Sequence, residues 1–448
     1  MASEKEGAVN QAAPIETIHN RTTMHISPRL SCLRLWTCAA FSLLFIGQCQ
    51  SQFRPPHVQI TDADTVGAGY SFIRQQENDI ENREYLEPLF EELFTQRTQG
   101  GKKVSIVHIG DSHILGNFLT REVRDRLQRE FGDAGRGLLF PYKLAQTAGA
   151  KDFLAETNCR WIGANCQRDL SSETNFGAAG FKLSTTNPGA ELTFHLQDTA
   201  TSESRFFTKV TVFQRKTALE YDLEVRDESS KQLAQLFIED EYARSYYFDR
   251  PVGSVTIAAK KNAAQQKTLT IDGISLENEL SGVLYHSIGV NGGKFMDFAR
   301  AKYFARQVAD LEPDLVILSF GTNESQGNTE PGYMRRTMEL LTAQILERSP
   351  ATRIMLTTPA DSYLRGKGVN PHMAETSELI RKFAKENGFA LWDLFRFTGG
   401  KNSSLSWKSH NLMTSDSVHY TKYGYALQGK LLYQSLMKGY NGFVESKR

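Results

Sequence analysis

KVSIVHIGDSHILGNFLTREVRDRLQREFG, residues 103 to 132, reads as a buried strand, a short polar turn and a helix. The segment ENREYLEPLFEELF before it is amphipathic at helical spacing and leads through a glycine-rich turn into the strand, which is how an α/β unit begins. Ser112 then stands at the end of a strand. It is either a nucleophile held there or one more polar residue in a surface turn.

The same rhythm returns after Leu284. FMDFARAKYFARQVADL precedes PDLVILSF, MRRTMELLTAQILERS precedes TRIMLTTP, ETSELIRKFAKENG precedes FALWDLF, and YGYALQGKLLYQSLMK closes the chain. Long helices alternating with continuous apolar strands predict a parallel sheet covered on both faces, a three-layer α/β/α domain. Right-handed crossovers then bring the strand C-termini to one edge, where open α/β sheets bind ligands. Between about residues 151 and 282 the pattern changes to short alternating runs such as ELTFHLQ, FFTKVTVFQ, YDLEV and GSVTIAA. These predict an inserted β-sandwich, with long hairpins decorating the main sheet as the alternative. The expected organisation is a signal and leader at 1–51, a linker at 52–82, a catalytic domain at 83–150 and 283–440, and the insertion at 151–282.

At 448 residues the chain exceeds the usual span of one domain, and 40% hydrophobic with 23% charged residues is ordinary for a globular protein. The net charge of +1 argues against a basic footprint for nucleic acid. Arg29 and Arg34 flank the start of LRLWTCAAFSLLFIG, which is followed by QCQSQ, the layout of a secretory signal. Its apolar run, Leu35 to Gly47, is shorter than the roughly 20 residues of a spanning helix, so no stable membrane span is expected after processing, a short anchor being the alternative. Met24 would start a leader of ordinary length. IGQC lacks the small residue that a lipoprotein signal carries before its cysteine. A secreted or periplasmic protein of the cell envelope is the expectation.

Of five cysteines, Cys32, Cys38 and Cys49 lie in or beside this leader. Cys159 and Cys166 remain, a disulfide candidate in an oxidising compartment, with two free thiols as the alternative. No CxxC pair or HExxH helix occurs, so neither a metal nor another cofactor is expected.

Three polar marks fall at or near the predicted edge: Ser112, Asn323 in GTNE, and Asp416 with His419 in DSVH. Each alone is ordinary: a turn, a left-handed asparagine, a helix cap. Together they supply what acyl transfer requires. An imidazole can take the proton of a serine hydroxyl, and a carboxylate three residues away can orient that imidazole. The Ser112 N–H, a glycine N–H and the Asn323 amide could face the oxyanion, such donors being worth roughly 10² to 10³ in rate each.

These residues resemble the blocks of the SGNH, or GDSL, hydrolases. The resemblance implies Ser112 as nucleophile, Asp416 and His419 as the rest of the triad, and Asn323 as an oxyanion residue on a flavodoxin-like sheet. For the glycine block SIGVNGG offers Gly289 and Gly292; Gly292 is preferred because VNGG looks like the V/I-N-G loop of one branch. His113 stands where leucine is common, and Glu324 where aspartate is common. GRGLLFPY and IDGISLEN are similar to stretches flanking the carbohydrate-binding-module-like insertion of secreted peptidoglycan O-acetylesterases. That likeness implies an acetylated glycan, peptidoglycan above all, as substrate.

Other readings stay open. Transfer of acetyl to another glycan needs the same triad, another acetylated polysaccharide could replace peptidoglycan, and a glycan-binding protein with a dead site is the non-enzyme option. A two-metal phosphoesterase would use Asp111 and His113 but lacks its later histidine blocks. His108, His113 and His410 are read as structural, and Trp407 and Tyr420 as core rather than sugar platforms. N-terminal sequencing of the exported protein is expected to give a first residue at Gln50 or Gln52; a start far upstream would refute the cleavage.

Overall fold

The computed structural model describes residues 54–448 apart from 67–68, 172–173, 198–204, 228 and 230–232. The leader, with Cys32, Cys38 and Cys49, lies outside the described residues. Five parallel strands form the central sheet in the order Ala390–Trp392, Arg353–Thr357, Leu315–Ser319, Lys103–Gly110, Gly282–Gly289, with Ile80–Glu81 antiparallel beside the first of them. Side chains alternate across it as strand geometry requires. Along Lys103–Gly110, Val104 and Ile106 enter one apolar core and Val107 and Ile109 the other. Helices Glu87–Thr98, Phe118–Phe131 and Lys422–Ser446 cover the first face, and Phe304–Ala309, Pro331–Arg348 and Met373–Asn387 the second. The architecture is three-layered, α/β/α.

Three adjacent strands stop level with one another. Gly110 is in register with Gly289 on one side and with Ser319 on the other. Glycine is needed at two of these ends because the chain crosses them closely. A Cβ on Gly110 would lie 2.6 Å from the Ser319 carbonyl oxygen, and one on Gly289 would lie 2.2 Å from the Leu115 nitrogen. The turn carrying Ser112 thus lies directly on the sheet's C-terminal edge.

Residues 151–282 build antiparallel sheets. One, of four strands, runs Phe153–Thr157, Glu191–Leu196, Ser254–Lys260, Asp222–Arg226; another, of five, runs Gln235–Glu239, Ala243–Val252, Phe207–Phe213, Gly273–Glu277, Gly137–Leu139. Leu192, Phe194, Val255 and Ile257 share one core with Val210, Val212, Ile274 and Leu276, and that core is continuous with one face of the central sheet. The five-stranded sheet recruits Gly137–Leu139, so its chain is drawn from before residue 151. Asp152 accepts hydrogen bonds from Asn117 Nδ2 (3.0 Å), Arg124 Nη2 (3.1 Å) and Arg136 Nη2 (3.0 Å), all buried at the junction with the Phe118–Phe131 helix.

Two expectations are corrected. The stretch 52–82 is no free linker where it is described. Val58, Val66, Ile73 and Ile80 are buried, and Asn78 bonds Leu431 O (2.7 Å) and accepts from Trp392 Nε1 (2.9 Å) and Ser435 Oγ (2.7 Å). Its scattered apolar residues hid this, because they follow neither helical nor strand periodicity. Cys159 and Cys166 are free thiols. The strand Ile162–Asn165 between them holds the chain extended over roughly 10 Å at about 3.3 Å per residue, more than the ~7 Å Cα separation a bridge tolerates.

Burial alone would raise the Asp152 pKa, yet the two arginines hold it well below the usual carboxylate range. A folded-state pKa below the unfolded one gives stability that is fully present above the unfolded value and lost as pH falls from there through the folded one. Asp152→Asn is expected to cost about 3–5 kcal/mol at pH 7 by urea denaturation, because Arg136 is left buried without its carboxylate and Arg124 keeps only Asp125, at 3.6 Å. The gap from wild type should narrow below about pH 4.

Candidate active site

Asp111 caps the short helix Ser112–Leu115, its Oδ1 accepting from His113 N at 2.9 Å. Ser112 is therefore the first helical residue, with its N–H free of intrahelical bonding. The loop before Lys422–Ser446 supplies the other half. Asp416 Oδ1 accepts from Thr414 Oγ1 (2.7 Å), Val418 N (2.9 Å) and His419 N (3.0 Å), a turn that leaves Oδ2 for the imidazole. His419 Nδ1 is 2.6 Å from Asp416 Oδ2, and His419 Nε2 is 2.8 Å from Ser112 Oγ, 307 positions away in the chain. Partial burial works to raise the Asp416 pKa, but the hydrogen bonds from His419 and its neighbours prevail and hold the carboxyl well below its ordinary value. An ionised Asp416 fixes the Nδ1–H tautomer and leaves Nε2 as proton acceptor.

Gly292 and Asn323 line the cleft of about 600 Å³ that contains Ser112 and His419. Gly292 has φ +77°, a conformation that bends the VNGG loop toward the serine. Gly289 is packed under Leu115 instead, so of the two candidate glycines it is Gly292 that lines the cleft. Asn323 Nδ2 donates to Asp111 Oδ2 and to Gly293 O, both at 3.1 Å, which orients its amide between the serine turn and the glycine loop. Glu324 is buried and braces the same loops, accepting from Phe295 N (2.9 Å) and Gly321 N (3.0 Å). Burial pushes its carboxyl up to about 7. Burial likewise pushes Asp111 up to about 8, with Glu324 adding to the effect and the His113 N–H opposing it.

The remaining histidines near the motifs have other partners. His108 is buried between Tyr285 OH (2.7 Å) and Ser319 Oγ (2.6 Å), and burial pushes its pKa down to about 3. His113 bonds Tyr425 OH at 2.9 Å with its ring 5.2 Å from that of His419; desolvation and that neighbour push it down to about 3 as well. His410 packs against Tyr70 and Phe72. Trp407 and Tyr420 are buried, bonded to Thr398 O and Asp361 O at 2.8 Å each, and neither lines the cleft.

Sequence reasoning missed the wall that the insertion contributes. Asn165, Gln167 and Arg168 line the cleft, and the Gln167 side chain lies 3.4 Å from where a Cβ on Gly292 would stand. No local signal marks these residues, since their place depends on how the insertion docks. Among the described residues no group of three or more His, Cys, Asp or Glu is arranged to hold a metal, and no helix is long and apolar enough to cross a membrane.

This fold and site resemble those of the SGNH ester hydrolases, and the comparisons with known proteins find likeness to the same group. Residues 273–427 match the GDSL-like lipase/acylhydrolase family. That segment contains Gly292, Asn323, Asp416 and His419, while Ser112 lies on the far side of the insertion. A solved peptidoglycan O-acetylesterase superimposes with a TM-score of 0.65 at 21% identity, covering 79% of this chain and 96% of the other. A lipase/acylhydrolase from Enterococcus faecalis (18% identity, TM-score 0.29, 35% of this chain and 77% of the other) and a GDSL-like lipase from Bacteroides thetaiotaomicron (19%, 0.28, 34% and 76%) also match. No curated protein matches by sequence.

Asp416→Asn keeps the size of the side chain but frees the imidazole to take the other tautomer. It is expected to lower kcat on p-nitrophenyl acetate by about 10³–10⁴ with an unchanged circular dichroism spectrum; a loss under tenfold would separate Asp416 from the proton path.

Proposed function

We propose that this chain is an exported serine esterase of the cell envelope that removes O-acetyl groups from a glycan, specifically peptidoglycan. Ser112 is the nucleophile, His419 the base and Asp416 its orienting carboxylate. The N–H groups of Ser112 and Gly292 receive the oxyanion, and the Asn323 amide joins them by giving up one of its two bonds, to Asp111 Oδ2 or to Gly293 O. The observation that carries this reading is the unbroken hydrogen-bond chain from Asp416 Oδ2 through His419 to Ser112 Oγ.

His419 Nε2 takes the hydroxyl proton as Ser112 Oγ bonds the acetyl carbon. The tetrahedral oxyanion then collapses, the C–O bond to the sugar breaks, and the imidazolium returns its proton to the sugar oxygen. Water enters by the same route in reverse, releasing acetate and restoring Ser112. His113, neutral beside His419, adds no positive charge that would oppose the imidazolium.

The glycan reading is supported by the likeness to a peptidoglycan O-acetylesterase over 79% of the chain. The ranges 83–150 and 283–440 amount to only about half of it, so the likeness extends into the insertion. The insertion's contribution of Gln167 and Arg168 to the cleft also suits a substrate larger than a simple ester. Export is supported by the charged, apolar and small-residue order of the leader.

Ser112→Ala is expected to abolish release of acetate from O-acetylated peptidoglycan and of p-nitrophenol from its acetate. Asn323→Ala should lower kcat by about 10²–10³ on both. Unchanged rates in the serine variant would overturn the mechanism, and activity confined to the chromogenic ester would overturn the glycan assignment.

A further inference from the structure

The cleft before Ser112 is assembled from separate pieces of chain, and two of them bring cations. The turn after strand Ile162–Asn165 of the insertion supplies Arg168, and the small hairpin Tyr363–Leu364/Gly368–Val369 supplies Arg365 and Lys367. All three side chains are exposed, and none forms an ion pair with a described residue. Among the described residues no aspartate or glutamate lines the cleft with them. The chain as a whole carries a charge of only +1, and elsewhere on its surface cations sit beside carboxylates, as Lys102 does with Glu92 (2.9 Å) and Arg335 with Glu386.

The cations stand on anchored supports. Gln326, three residues after Asn323, donates to Tyr363 O (2.5 Å) and accepts from Arg365 N (3.2 Å). Tyr363 N donates to Ser417 O at 2.9 Å, inside the loop that carries Asp416 and His419. Across the cleft, Asn165 Oδ1 accepts from Arg168 N (3.0 Å), and Gln167 abuts Gly292. The cations are therefore tied to the same segments that hold the oxyanion residues and the triad.

We infer that the cleft selects a glycan bearing ionised carboxylates next to its acetyl ester, with Arg168, Arg365 and Lys367 as specificity-determining residues. The inference rests on the esterase reading of the Ser112 site. Like charges without counter-ions raise the potential of a concave site and concentrate anionic substrate there. Guanidinium forks match carboxylates in pairs of hydrogen bonds, and exposed charges of this kind act within a Debye length of about 8–10 Å. The carboxylates can belong to the sugar or to a peptide attached to it.

The test compares the full-length exported protein with the variant carrying Arg168→Gln, Arg365→Gln and Lys367→Gln. Substrates are p-nitrophenyl acetate, O-acetylated peptidoglycan strands with and without stem peptides, the same strands with their carboxylates amidated, and neutral acetylated xylan. Each single substitution is expected to raise KM on carboxylated strands about two- to five-fold, and the triple variant about tenfold or more, with kcat preserved. KM on amidated strands and xylan should rise far less than on carboxylated strands, and the discrimination should fade near 1 M salt. A penalty confined to peptide-bearing strands assigns the carboxylates to the peptide; one that survives stripping assigns them to the sugar. Equal loss on amidated strands, or none on carboxylated ones, overturns the inference while hydrolysis of p-nitrophenyl acetate still attests the triad. A wild-type protein inactive on every ester would instead refute the underlying esterase reading. Binding of carboxylated and amidated strands by Ser112→Ala would then still read the charge preference.

Discussion

Everything at the active site depends on three neighbouring parallel strands ending level, at Gly110, Gly289 and Ser319. Their loops leave the sheet side by side, and each brings one kind of group: the serine turn, the VNGG loop and the GTNE loop. The close crossing of the serine turn over this edge requires backbone without side chains at Gly110 and Gly289. The long C-terminal helix packs against Phe118–Phe131, the helix that follows the serine turn, through the core on that face of the sheet. That packing brings the loop preceding it, with Asp416 and His419, over the same edge. A hydrogen bond of 2.8 Å across 307 residues is the outcome of this sheet geometry.

The electrostatics separate working groups from braces. His108, His113 and His286 are held neutral by desolvation, and each has a fixed partner: Tyr285 and Ser319, Tyr425, and the Leu138 N–H. Asp111 and Glu324 are buried carboxyls spent on backbone N–H groups and on the Asn323 amide. Asp416 differs because it keeps contact with solvent and collects donors, and both conditions favour the ionised form. Among the described histidines, only His419 combines a carboxylate on one nitrogen with the serine on the other.

The insertion is joined to the catalytic layer by more than two chain crossings. Its core is continuous with one face of the sheet, and Asp152 draws Arg124, Arg136 and Asn117 into one buried network at the junction. Such a network is costly to open, since removing Asp152 leaves Arg136 buried without its carboxylate. This rigidity matters at the cleft, where the turn at 165–168 forms a wall beside Gly292. The insertion thus forms part of the cleft that holds Ser112.

Much of this was legible in one dimension. Continuous apolar runs alternating with long helices give a covered parallel sheet, because strands buried on both faces need apolar residues at every position. GDSH, GTNE and DSVH could be picked out because acyl transfer needs a nucleophile, an amide donor and an acid–base pair, and strand ends are where such a sheet displays them. Gly289 and Gly292 could not be told apart by spacing alone; which one faces solvent depends on how Leu115 packs. The strap at 54–82 was invisible for the same reason, its burial being set by the C-terminal helix that it meets at Leu431 and Ser435. The separation of Cys159 from Cys166 follows from an extended strand between them, and the convergence of Arg168 with Arg365 and Lys367 from docking of the insertion. Local sequence specifies periodicity and chemistry because those are properties of neighbours in the chain. Which surfaces meet across hundreds of residues is a matter of packing, and only the tertiary structure could decide it.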